Sequence, residues 1–244
     1  MTRKYIMINS LDHCRSTIVD LFLGQQLGLV SLGEVRRTVF AKGEELKNIQ
    51  KEMCSCGHQF SCCTFWSEIG NNFFGYISSE HHTAIGFIDS SKDISHYRSC
   101  RLNLSGFDTF DILVYRKFST WYPSVMKSRD REDRKTWKSI FRDKDFISGS
   151  LRLYLRKFRM IAWFEFIVTY GRFIFSVKRP VIIASDKDLY KFIEQFRVEG
   201  DTHGVQSHIA RGNRIRNSKN IELQSFDETD SVCRFLRLIG NFKL

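Results

Sequence analysis

Short runs of Ile, Val and Phe punctuate the chain, and most are followed by a stretch in which apolar residues recur every three or four positions. The runs at residues 4–9, 84–89, 110–115 and about 173–184 predict strands. The stretches at about 17–26, 94–103, 119–129 and 186–197 predict helices. Strand followed by helix, repeated, predicts an α/β fold with a central parallel β-sheet flanked by helices. A basic, aromatic segment near 129–172 reads as mostly helical and lies across one side. Residues Ser225 to Leu244 predict a last short helix with Val232, Phe235, Leu236 and Ile239 on one face. The most membrane-like stretch, Met160 to Val177, is interrupted by Glu165, Gly171 and Arg172. It predicts a buried helix running into a strand rather than a membrane span.

With two prolines in 244 residues and no Pro/Gly/Ser-rich linker, a single domain over residues 1–244 is the expected organisation. An apolar share of 42% with 27% charged residues excludes a disordered chain. The net charge of +11 favours a polyanionic partner: nucleic acid, anionic lipid, sulfated sugar or a nucleotide with several phosphates. The apolar run around Ile6 is too short for a signal-peptide core, so a cytoplasmic protein is expected. Seven cysteines, an odd number, fit reduced thiols better than a full disulfide framework.

Candidate chemistry gathers at strand ends. The first strand runs into Ser10-Leu-Asp-His-Cys-Arg-Ser16-Thr17 and then a helix. A helix opening there presents free backbone N–H groups and the positive end of its dipole, which suit a phosphate or sulfate. A Ser-Thr pair before a helix is also ordinary capping. Further on stand Gly33-Glu34 before Arg36 and Arg37, Asp89-Ser-Ser-Lys92-Asp93, and Arg116 followed by Ser124. Glu34 and Lys92 can each be read as surface residues in local ion pairs, Glu34 with Arg36 or Arg37 and Lys92 with Asp89 or Asp93. Cys54, Cys56, Cys62, Cys63 and His58 form a dense cluster without the Cys-x-x-Cys spacing, and a structural zinc or a labile disulfide are both open to it. His208-Ile-Ala-Arg211-Gly212-Asn213-Arg214-Ile-Arg216 is a basic stretch with no interleaved aromatic residue, which argues against RNA.

These segments, in this order, resemble sulfotransferases that use 3′-phosphoadenosine-5′-phosphosulfate (PAPS), in particular the bacterial carbohydrate and tyrosylprotein-like group. The resemblance covers residues 4 to about 130 and returns at 203–216. It implies a P-loop-like sulfotransferase fold, although no Gly-Lys-Ser/Thr of a Walker A loop is present. His13, Cys14, Arg15, Ser16 and Thr17 match the 5′-phosphosulfate loop, with Arg15 where the family usually has glycine. Arg116 and Ser124 match the 3′-phosphate site. The segment with Arg211, Gly212, Asn213, Arg214 and Arg216 matches a loop that closes over the nucleotide. Glu34 becomes the base that removes the acceptor's proton, and Lys92 the cation on the departing phosphate. The Cys-x-Cys-Gly…Cys-x-Phe-Trp run becomes a family marker in an insertion near 54–66, with no metal assigned. The implied activity is transfer of a sulfuryl group from PAPS to a hydroxyl or amine of a small molecule or saccharide. Neither a membrane nor nucleic acid is then the expected partner. The alternative is a noncatalytic protein that binds nucleic acid or another polyanion on a decayed nucleotide-binding fold.

Overall fold

The first apolar run is buried from Tyr5 to Ser10, with side chains on both faces of a strand shielded from water. That is the environment of a central strand in a parallel sheet. The computed structural model describes residues 2–69, 72–79, 84–136, 158–177, 180–196, 208, 223 and 225–241, with the backbone alone for 128–136. Strands β1 (Arg3–Ser10), β2 (Val30–Gly33), β3 (Gly86–Asp89), β4 (Phe107–Val114) and β5 (Val181–Ile183) form one sheet in the order β2-β3-β1-β4-β5. Every pairing is parallel. The chain is therefore α/β with a five-stranded, all-parallel central sheet among the described residues.

Alternation along β1 sorts the helices. Ile6 and Ile8 point to the face covered by α1 (Ser16–Leu27) and by Leu189, Phe192 and Ile193 of a later helix, Asp186–Phe196. Tyr5 and Met7 point to the other face. There they meet α4 (Thr64–Ile69), α5 (Phe73–Ser78) and α6 (Ile94–Asn103). The same face, beyond β4 and β5, is covered by α7 (Phe118–Thr136), α8 (Arg159–Ser176) and the C-terminal helix Ser231–Asn241. In chain order the last two helices are α9 (Asp186–Phe196) and α10 (Ser231–Asn241), while α2 (Val35–Thr38) and α3 (Gly43–Gln50) follow β2. Each fully buried Ile or Phe in these layers stabilises the fold by about 1.5–3 kcal/mol.

The sequence pattern placed β1, α1 and α6 closely, but three elements differ from expectation. The run from about 173 to 184 is not one strand: α8 continues through Ser176 and only Val181–Ile183 joins the sheet. Ala162, Phe166, Tyr170, Phe173 and Ile174 are buried at helical spacing, so tertiary burial extends the helix through residues with strand propensity. β2 was not expected, because a four-residue strand is too short to show a period. Helix α7 begins at Phe118, which puts Pro123 beyond the first turn, where its missing N–H removes a helical bond. No helix among the described residues is long and apolar enough to cross a membrane.

Candidate functional site

At the carboxyl edge of β1 the backbone must turn sharply to start α1. It does so through two non-glycine residues in the left-handed region, His13 at φ 63° and Arg15 at φ 66°. A left-handed residue with a Cβ costs about 1–2 kcal/mol, so neighbouring contacts have to hold the turn. They come from α7, α8 and the loop between β4 and α7. The Trp121 Nε1–H donates to the Asp12 carbonyl at 2.8 Å, and Arg116 Nη1 donates to the His13 carbonyl at 2.6 Å. The Tyr170 hydroxyl contacts Cys14 Sγ at 3.2 Å and accepts the Arg116 N–H at 3.0 Å. Cys14 is thus in the core; burial pushes its thiol up to about 12, and the thiol is not presented to a ligand.

Ser16 and Thr17 open α1 and are buried. The N-cap residue Arg15 makes no side-chain capping bond and no acid stands in the first turn, so among the described residues these give the positive pole of the dipole no compensation. Beside it, Asn9 Nδ2 and Ser10 Oγ are buried without a hydrogen bond among the described residues. Each unsatisfied group costs about 1–3 kcal/mol, which marks a place where a ligand's oxygens would be welcome.

On the β2–β3 side, Gly33 adopts φ 69° at the end of β2, and its carbonyl accepts the Ser90 N–H at 2.8 Å. This clasp brings the two strand exits together. Glu34 Oε1 lies 2.8 Å from Lys92 Nζ, and Glu34 Oε2 lies 3.2 Å from Arg37 Nη1. Lys92 Nζ is also 3.9 Å from Asp12 of the β1–α1 turn. Lys92 does not pair with Asp89. That carboxylate is already engaged by the Tyr5 hydroxyl at 3.0 Å, His96 Nε2 at 2.7 Å and the Ser91 N–H at 2.9 Å. Asp93 instead caps α6, accepting the His96 N–H at 2.8 Å. Asn9, Ser91, Lys92 and His96 line a small, open recess. It lies between β1 and β3, whose following helices leave on opposite faces, the place where open α/β sheets bind ligands.

On the β4–β5 side stands a second charged group. Arg116 Nε is 4.0 Å and Arg15 Nη1 is 3.6 Å from Glu228 Oε1. The Thr120 hydroxyl donates to Glu228 Oε2 at 2.7 Å. Burial, and then the charge of Arg15, hold Arg116 below its usual pKa. Ser124 lies one turn beyond Thr120 on α7 and is half-buried. Arg211, Gly212, Asn213, Arg214 and Arg216 fall outside the described residues.

Glu34, Lys92, Arg15 and Arg116, which sequence reasoning singled out, are gathered by the fold around one turn. Sequence reasoning missed Glu228, Thr120, Tyr170, Trp121 and Asp12. Asp20, which closes the pattern of the first loop but was given no role, is a fully buried carboxyl on α1 that burial raises to about 7 and that accepts the Ser90 hydroxyl at 2.8 Å. No protein-family model, curated protein or solved structure matches the chain, so a functional reading stands on these residues and their geometry.

Proposed function

We propose that the protein is a PAPS-dependent sulfotransferase acting on a hydroxyl or amine of a small molecule or saccharide. The observation that carries the reading is the turn after β1: an uncapped helix N-terminus between a Lys–Glu pair on one side and an arginine pair on the other. That arrangement suits a donor with anionic groups at two ends, and the left-handed Arg15 adopts the backbone conformation for which the resembling family uses glycine.

On this reading Ser16 and Thr17 hold the 5′-phosphosulfate through backbone N–H and hydroxyl groups. Arg116 and Arg15 face the 3′-phosphate. Glu228 leaves the group Arg15, Arg116 and Glu228 with one net positive charge, enough to attract an anion but less than two free arginines would. Lys92 shifts from Glu34 to the oxygen bridging sulfur and phosphorus, where leaving-group charge grows. Glu34, released from that ion pair, accepts the proton of the acceptor. One S–O bond to the 5′-phosphate breaks as the bond from sulfur to the acceptor forms, and the phosphate leaves with the electron pair.

The test is thermal stability with 3′-phosphoadenosine-5′-phosphate against AMP. The bisphosphate should stabilise far more, and Arg116→Ala should erase the difference. Equal responses in the unsubstituted protein would overturn the reading. Salt-sensitive RNA or DNA binding without any nucleotide effect would support the polyanion-binding alternative instead.

A further inference from the structure

The cysteine-rich segment folds into a small loop beneath the edge of the sheet. Met53 and Gln59 form an antiparallel bridge, the Cys54 N–H donates to the His58 carbonyl at 2.8 Å, and Gly57 turns the chain at φ 92°. A 3-10 turn at Phe60–Cys62 then returns Cys63 to the same place. Backbone N–H groups of Cys56, His58 and Trp66 point at the sulfurs of Cys54, Cys56 and Cys63 respectively.

A fourth group arrives from far along the chain. His208 donates its N–H to the Ser31 carbonyl on β2 at 2.8 Å, and its own carbonyl accepts Trp66 Nε1–H at 3.0 Å. Its ring stacks on Phe65 at 4.3 Å between centroids. Backbone and ring are therefore both oriented. The ligand atoms of Cys54, Cys56, Cys63 and His208 all lie within 4.8 Å of one another. Cys56 Sγ is 3.6 Å from Cys63 Sγ, and Cys63 Sγ is 3.5 Å from His208 Nδ1.

A tetrahedron with metal–sulfur bonds of about 2.3 Å and a metal–nitrogen bond of about 2.0–2.1 Å has edges of roughly 3.8 Å between sulfurs and roughly 3.6 Å from sulfur to nitrogen. The two edges measured here agree with those values. We propose that Cys54, Cys56, Cys63 and His208 form a structural zinc site. Three thiolates and an imidazole suit zinc, and four protein ligands leave no position open for substrate. Cys62, exposed and turned toward Ser61, stands apart from the group. The site clips together positions 145 residues apart, from Cys63 to His208. Closing so long a loop is where a metal clip stabilises most. It also pins His208 to β2, three residues ahead of Glu34. The proposal stands independently of the sulfotransferase reading.

Protein expressed with zinc in the medium and dialysed should hold about one zinc per chain by elemental analysis. Replacement by cobalt should give the intense visible bands of a tetrahedral thiolate site. Cys63→Ser and His208→Ala should lose the metal, His208→Cys should regain it, and Cys62→Ser and His58→Ala should keep it. Where a variant does not fold, the unsubstituted protein still answers: a chelator should speed alkylation of Cys54, Cys56 and Cys63 but not of Cys62. Metal-free protein, retention of zinc by His208→Ala, chelator-independent alkylation, or a Cys56–Cys63 disulfide in freshly purified protein would each overturn the site.

Discussion

Asp20 shows how one buried side chain imposes a pH dependence on the molecule. It lies on α1 with no exposed surface, one carboxyl oxygen accepting from Ser90. Burial raises its pKa to about 7; the hydrogen bonds from Ser90 and Ser31 work against that rise, and Asp89 nearby adds to it. In the unfolded chain a carboxyl titrates near 3.9. Between those values the native state keeps a proton that the unfolded state has lost, so stability falls as pH rises from about 4 to about 7 and is flat above. From pH 5 to 8 the loss from this group is about 2–3 kcal/mol. Urea titrations at the two pH values should show it. Asp20→Asn, which keeps the shape and the bond from Ser90, should flatten the slope by that amount; an unchanged slope would assign the dependence elsewhere. Arg15 strains the fold differently, through its left-handed backbone, and its ion pair with Glu228 does little to offset this because the arginine is partly exposed.

Among the elements, the exits of β2 and β3 make one unit. The Gly33–Ser90 clasp puts Glu34 and Lys92 in contact although 58 residues separate them. If Glu34 is the base, Glu34→Gln should lower kcat by about 10²–10⁴-fold, the usual worth of a positioned proton acceptor. KM should change little, and the thermal shift with 3′-phosphoadenosine-5′-phosphate should persist. Loss of that shift would make Glu34 a scaffold for the loop instead. The strand-to-helix units were legible in the sequence because a buried parallel strand and an amphipathic helix each carry their own period. The pairing of Glu34 with Lys92 was not legible, since each was expected in a local ion pair, and the resemblance supplied only the roles proposed for them. Glu228 was not legible, since its burial depends on Arg15, Thr120 and Arg116 converging from three other elements. The strand expected from about 173 failed for a related reason: Phe173 and Ile174 have strand propensity, but packing beside Leu113, Tyr115 and Ile182 rewards a helical face.

For the molecule as a whole, charge and stability meet at Glu228. With a net charge of +11, the protein must hold its cationic edge together when no anion is bound. Glu228, almost fully buried and ringed by Arg15, Arg116 and Thr120, supplies a negative charge from within. On the proposed function, a ligand phosphate on the same arginines would compete with it electrostatically, which would link binding to folding. Glu228→Gln keeps the bond from Thr120 and removes the charge. It should lower stability without ligand by about 1–3 kcal/mol, the cost of leaving charged partners under-compensated. It should also tighten binding of 3′-phosphoadenosine-5′-phosphate. A ligand at one hundred times its Kd stabilises by about 2.7 kcal/mol, or roughly 5–10 °C in Tm for a chain this long. At a fixed ligand concentration the variant's shift should therefore exceed that of the unsubstituted protein, and added salt should shrink both. A variant equally destabilised but with an unchanged or smaller shift would mean that the arginines serve Glu228 alone, and the 3′-phosphate would have to be sought elsewhere on the sheet edge.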